Sequence, residues 1–183
     1  MKTAPGRLLR RVRAGGHRSR LARIDVPETI VVTSDAFPDG GIIPVKYAGK
    51  GVGDNLSPAL RWSGVPDGAA ALVLIIEDDD VPLPRPLIHT IAILDARIDN
   101  VGEGALQPNN PDIRFIKTAL GRGYSGPRPI PGHGWHHYCF HLFALKKPVP
   151  ETVDTVDTVE ELLPAIRLNA TAHGVLTGVY RRP

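Results

Sequence analysis

The chain is 183 residues long, room for one domain with a sizeable core and too little for two. With 42% hydrophobic and 22% charged residues it fits neither a disordered nor a fibrous protein, and its single cysteine excludes an intrachain disulfide or a cysteine-built metal site. The formal charge of +3 suggests a polyanionic partner only until it is divided: the first 23 residues hold eight of the 22 Lys and Arg and none of the 19 acids, so an arm of +8 precedes a body of −5.

The arm, residues 1–23, is expected to be flexible, and residues 24–183 to form a single domain. It lacks the apolar stretch of a secretory signal, and Arg10-Arg11 without that stretch is not a twin-arginine export signal. An Arg-rich, acid-free start also suits a mitochondrial presequence, but a solvated or loosely docked tail is preferred over contact with an anion or nucleic acid. No segment is apolar for long enough to span a membrane, the longest run being Ala69 to Ile76.

Glycine (19) and proline (18) exceed one residue in five and punctuate short apolar runs, so the chain reads as mainly β. Ile30 to Val32, Ile42 to Tyr47, Ala59 to Trp62, Ala70 to Glu77, Leu87 to Leu94 and His137 to Lys146 have strand length and composition, separated by turns such as Pro38-Asp39-Gly40-Gly41 and Pro66-Asp67-Gly68. Residues 99–135 are rich in Gly, Pro and Asn with weak strand signal; a long irregular connection of this kind suits the wall of a site. Thr158 and Glu161 suggest a capping box, and Val159, Leu162, Leu163 and Ile166 recur at helical spacing up to Gly174, with a kink or a second helix expected at Pro164. Val175 to Tyr180 returns to strand composition. Cys139, inside the apolar run Tyr138 to Leu145, is expected to be an inert core thiol in a reducing, cytoplasmic setting.

The sharpest chemical feature is Glu77-Asp78-Asp79-Asp80-Val81-Pro82, four acids at the end of an apolar strand. They repel one another, so some must meet solvent, a cation or hydrogen-bond donors, and strand alternation puts Asp78 and Asp80 on one side and Asp79 on the other. A solvated turn capped by Pro82 is the bland alternative. A hard-cation site is a further one, although the periodicity of a calcium loop is missing, and no metal or cofactor is expected. His89 sits in an apolar strand, where a lone histidine is most often a hydrogen-bonded core residue. His133, His136, His137 and His141 cluster after a Gly/Pro-rich loop, with no tight zinc spacing.

In combination these elements say more. Asn55-x-Ser57-Pro58-x-Leu60-x-Trp62, then Asp78-x-Asp80-x-Pro82, then His89 in a strand, then Gly126-Pro127 ahead of His136-His137-Tyr138 resembles the phosphatidylethanolamine-binding protein family, in particular its bacterial Raf-kinase-inhibitor-like branch. The resemblance runs through about residues 28–181, and Gly178-Val179-Tyr180 is similar to the family's last strand. It implies an antiparallel β-sandwich with a C-terminal helix and a small pocket at one end, built here from Asp78, Asp80, Pro82, His89, Gly126, Pro127, His136 and Tyr138, which takes small anions such as phosphate or phosphorylated head groups. The chain departs from the family pattern at Asp79, where a proline is usual, at Ile88 and Thr90, where aromatics commonly flank the histidine, and at His137, where arginine is usual.

The leading expectation is therefore a binding protein for a small anion or phospholipid head group, regulatory through protein partners if it follows the family, and a homodimer if it follows bacterial relatives. The alternative is an enzyme on the same scaffold, of lyase or cyclase type, with Asp78, Asp80, His89 and His136 as acid–base groups. Nucleic acid is not expected as a partner, since only the arm would support it.

Overall fold

The computed structural model describes residues 6–151, 153 and 159–183. In chain order the elements are helix α1 (Gly6–Leu9), strands β1 (Val31–Thr33), β2 (Gly41–Ile42), β3 (Leu60–Ser63), β4 (Ala71–Asp78), β5 (Leu87–Leu94), β6 (Asn100–Val101), β7 (Arg114–Ile116) and β8 (His136–Leu145), helix α2 (Val159–Asn169) and strand β9 (Ala170–Tyr180). They form a three-stranded sheet, β1-β3-β6, facing a six-stranded one, β2-β9-β8-β4-β5-β7. Each described strand pair is antiparallel except β2 with β9.

Side-chain alternation explains why β4 reads as an unbroken apolar run. Leu72, Leu74 and Ile76 point into the core between the sheets, beside Leu60 and Trp62 of β3 and Phe140 and Leu142 of β8. Val73 and Ile75 point the other way, into a second cluster with Phe143 and with Leu162, Leu163 and Ile166 of α2. Each fully buried aliphatic side chain of this kind contributes about 1.5–3 kcal/mol.

Three expectations about elements change. Ile42 to Tyr47 is not one strand: β2 stops at Ile42, and after Pro44 a single 3-10 turn covers Val45–Tyr47, because proline offers no ladder donor. One helix runs through Pro164, without a second one starting there, and it ends at Asn169 well before Gly174. The chain then enters β9, which pairs with β8 from Leu145↔Ala170 to His136↔Tyr180; ten paired residues and a burial period of two override the helical spacing. Thr158, half of the expected capping box, lies outside the described residues.

Within the arm, residues 6–23 lie along the domain, where the sequence suggests a flexible tail. Gly6 N–H donates to Pro131 O (3.0 Å), Ala14 N–H to Val81 O (2.9 Å) and Gly15 N–H to Asp79 O (2.7 Å). Leu21, 5% exposed, anchors it in the α2-side cluster. Charge favours this course: residues 6–23 carry seven arginines and no acid, and Arg13 reaches Asp80 at the end of β4 at 2.6 Å.

Candidate functional site

The register of β4 against β8 sets the site. Asp78 lies opposite Tyr138 and Glu77 opposite Cys139, so Asp78, His136 and Tyr138 share one face of the sheet while Glu77, Cys139 and His141 share the other.

On the first face a cavity of about 290 Å³ opens between the ends of β4 and β5 and the loop 120–130. Asp78, His89, His136 and Arg128 supply its polar groups, and Leu83, Leu87, Leu120 and Ile130 an apolar wall. Of the eight residues the sequence selected, Asp78, Pro82, His89, Gly126 and His136 line it. The other three do not. Asp80 is drawn away by Arg13 Nη1 (2.6 Å) and by the Nδ1 (2.6 Å) and backbone N–H (2.8 Å) of His137. Pro127 is buried, its carbonyl accepting from Gly49 N–H at 2.9 Å. Tyr138, 1% exposed, packs behind the cavity with its ring edge-on to His89 at 5.3 Å.

The loop holds its shape by close backbone approach. A Cβ on Gly126 would stand 2.0 Å from the Tyr47 carbonyl oxygen, so only glycine fits. Asn55 clamps the loop from beneath, accepting from Gly126 N–H (2.9 Å) and donating to Tyr124 O (2.9 Å). To do so Asn55 takes a left-handed backbone conformation, φ 56°, which asparagine tolerates better than most residues.

Counting donors and acceptors fixes where protons sit. His133 Nε2 lies 2.8 Å from Leu9 O and 3.2 Å from Val12 O, and carbonyls only accept, so this nitrogen carries hydrogen. His133 Nδ1 lies 2.7 Å from His136 Nε2, whose ring reaches Asp78 through Nδ1 at 3.0 and 2.8 Å. Asp78, His136 and His133 therefore form one continuous buried hydrogen-bonded chain. Its far end is closed by carbonyls of the arm. Arg13, donating also to Trp135 O (2.8 Å), pins that closure in place.

The electrostatics follow. Burial would raise the Asp80 acid, but bonds from His137 and Arg13 outweigh it and hold Asp80 below the usual carboxylate range. Burial lowers His89, against the opposing charge of Asp78. Burial raises the Tyr138 phenol, with Asp78 adding to it.

The opposite face lies under the arm and lines a separate cavity of about 240 Å³. Burial pushes Glu77 up to about 7 despite a 2.6 Å bond from the Ser19 hydroxyl, and it raises Asp79 as well. His141, 3.0 Å from His173 through Nδ1, is pushed down to about 3 by burial and by that neighbour. Cys139 is pushed up to about 12 by burial and by Asp79, in line with the inert thiol expected of it.

Sequence reasoning missed Arg128 and Arg13 as parts of this region, and it named His133 in the histidine cluster without assigning it to the pocket. Arg128 is the one charged residue between Tyr124 and Gly132, a signal that was readable. Arg13, 67 residues from Asp80, gave none.

A family description, phosphatidylethanolamine-binding protein, matches residues 33–181. The chain belongs to that family. A UPF0098 protein of Pyrococcus abyssi is 33% identical over 160 residues, covering 85% of this chain and 87% of its own. One from Chlamydia muridarum is 36% identical over 156 residues, covering 82% and 98%. Among solved structures, Escherichia coli YbcL, described as a new member of the mammalian PEBP family, superposes with a TM-score of 0.72 at 26% identity over 85% of this chain and 99% of its own. The PEBP homologue CT736 of Chlamydia trachomatis gives 0.70 at 32%, with the same coverage. The family match begins ten residues beyond the arm, so Arg13 and the carbonyls of Leu9 and Val12 lie outside the matched residues. No helix among the described residues is long and apolar enough to cross a membrane.

Proposed function

We propose that this PEBP-family chain binds a small anion or a phosphorylated head group in the Asp78–His89–His136 cavity, without turnover. The observation that carries this reading is the setting of His89. Its Nδ1 is 2.9 Å from the Ser125 carbonyl, which only accepts, so Nδ1 carries hydrogen and Nε2 is the ring atom a ligand can engage. An entering anion favours the ring with both nitrogens protonated, so anion and proton bind together, and Arg128 in the wall adds a permanent charge. A cationic end of the same ligand would be accommodated beside the Asp78 carboxylate. His136, by contrast, spends both nitrogens on Asp78 and His133, which favours binding over acid–base turnover, since a general acid or base needs an atom that reaches the substrate.

Titration calorimetry with sulfate, whose charge is constant across the range, and with phosphoethanolamine tests this between pH 5 and 8. Affinity should rise as pH falls through the His89 titration, by up to about tenfold per pH unit, and His89→Gln should flatten the profile. A flat profile in the wild-type chain removes His89 as the anion's partner. Failure of both ligands to bind removes the reading.

A further inference from the structure

Two segments that wall the Asp78–His89–His136 cavity are held by the arm. Val81, Pro82 and Leu83 line the cavity just after β4, and Ile130 and His136 line it before and at the start of β8. The ladder tying these two strands together stops at Asp78↔Tyr138, with one further bond from Asp79 N–H to His137 O (3.1 Å). Beyond it the arm bonds to both segments. On the first, Ala14 N–H donates to Val81 O (2.9 Å), Gly15 N–H to Asp79 O (2.7 Å) and Arg13 to Asp80 (2.6 Å). On the second, Gly6 N–H donates to Pro131 O (3.0 Å), Arg10 Nε to Gly132 O (3.1 Å) and Arg13 to Trp135 O (2.8 Å), while Leu9 O accepts from His133 Nε2 (2.8 Å).

The seating is close. A Cβ on Gly6 would stand 2.4 Å from His133 N and 2.5 Å from Pro131 O, so glycine is needed for the arm to lie flush there. Arg13 spans the two segments, because its planar fork serves Asp80 on one and the carbonyls of Trp135 and His133 (3.3 Å) on the other. The link continues inwards. His133 Nδ1 lies 2.7 Å from His136 Nε2 and His136 Nδ1 lies 2.8 Å from Asp78, so the imidazole that the arm's carbonyl grips supports two residues of the cavity.

We propose that residues 6–15 are a strap on this cavity, whose docking and the binding of an anion or phosphorylated head group favour each other. The inference rests on the binding reading above and adds regulation to it. Lifting the strap frees both wall segments and the support of the His136–Asp78 pair, so an undocked chain must order them again on binding and holds the ligand more weakly. Linkage makes the effect reciprocal. If undocking weakens the ligand by a given factor, a saturating ligand strengthens docking by the same factor. Arg13 acts here as a positioning residue, through Asp80 and the two carbonyls, and not as a contact of the ligand.

Amide hydrogen exchange and calorimetry on the full chain at pH 6, with sulfate and phosphoethanolamine as probes, test the proposal. A saturating probe should slow exchange of the Ala14 and Gly15 amides at least threefold, levelling off as the cavity fills. Arg13→Gln should weaken binding about three- to tenfold. Gly6→Ala, which changes no charge, should weaken it about two- to fivefold, and neither loss should exceed the slowing of exchange. Arg61→Gln, exposed on β3, should change affinity less than twofold, and thermal melting should confirm that each variant folds. If neither probe binds the wild-type chain, the cavity reading falls and the strap with it. If a probe binds but leaves the Ala14 and Gly15 amides unslowed, the strap alone falls. A loss in Arg13→Gln with none in Gly6→Ala would trace the effect to direct attraction between Arg13 and the anion, and would equally overturn it.

Discussion

The four acids at the end of β4 are chemically near-equivalent, yet the two sides of the strand treat them in opposite ways. Asp78 meets His136 at 2.8 Å, and Asp80 meets Arg13 and His137 at 2.6 Å, contacts that hold the Asp80 acid below its ordinary range. Glu77 and Asp79 lie under the arm beside a hydroxyl, a thiol and two imidazoles that burial keeps neutral, and both acids are raised. The lesson is that the partner presented by the other strand or by the arm decides the ionisation of a buried acid.

The comparison breaks most readily at Asp78. Asp78→Ala removes one partner of the buried Asp78–His136 contact and leaves the imidazole unmatched, and urea unfolding at pH 7 should show a loss of about 3–5 kcal/mol. A loss below about 1 kcal/mol would mean that the buried His136–His133 pair does not depend on the Asp78 carboxylate.

Glu77 probes the other side through pH. Its folded-state acid stands near 7 against an ordinary 4.5, so the folded state holds more protons between those values and stability falls as pH rises through them, by up to about 3 kcal/mol. His141 runs the other way: held near 3 against 6.5, it makes stability fall as pH drops from 6.5 towards 3. The two trends oppose each other between pH 4.5 and 6.5. Glu77→Gln, which can still accept from Ser19, should therefore stabilise the chain by about 1–3 kcal/mol at pH 8 and by almost nothing at pH 4.5. A pH-independent difference between variant and wild type would refute the assignment.

The smallest effect sharpens the role of the arm. The Arg13–Asp80 pair is part-exposed, with side-chain exposures of 32% and 13%, so Arg13→Ala should cost about 1 kcal/mol. In a carbon-detected titration the Asp80 carboxyl should move up towards its ordinary value. No movement would mean that His137 alone holds it down.

Much of the fold was legible because its strands obey simple alternation between turns. β4, β5 and β8 were placed to within a residue or so, and the family resemblance supplied the sandwich and the outline of the pocket. Errors came where a local signal met a stronger distant one. Residues 170–174 carry helical spacing, but the β8 ladder claims them. Asp80 has the right spacing from Asp78 for the same pocket, but it lies in the turn beyond the strand, where alternation no longer applies and Arg13 is in reach.

The sequence by itself determined a mainly β domain and the separation of a basic arm from an acidic body, because each depends on residues near one another along the chain. Only the tertiary structure decided what each acid faces. Charge state and hydrogen-bond direction depend on groups 58 and 67 residues away in the case of Asp78 and Asp80, and on carbonyls more than 120 residues away in the case of His133. Composition separated a basic arm from an acidic body; the fold laid that arm across the end of β4, where Arg13 reaches Asp80.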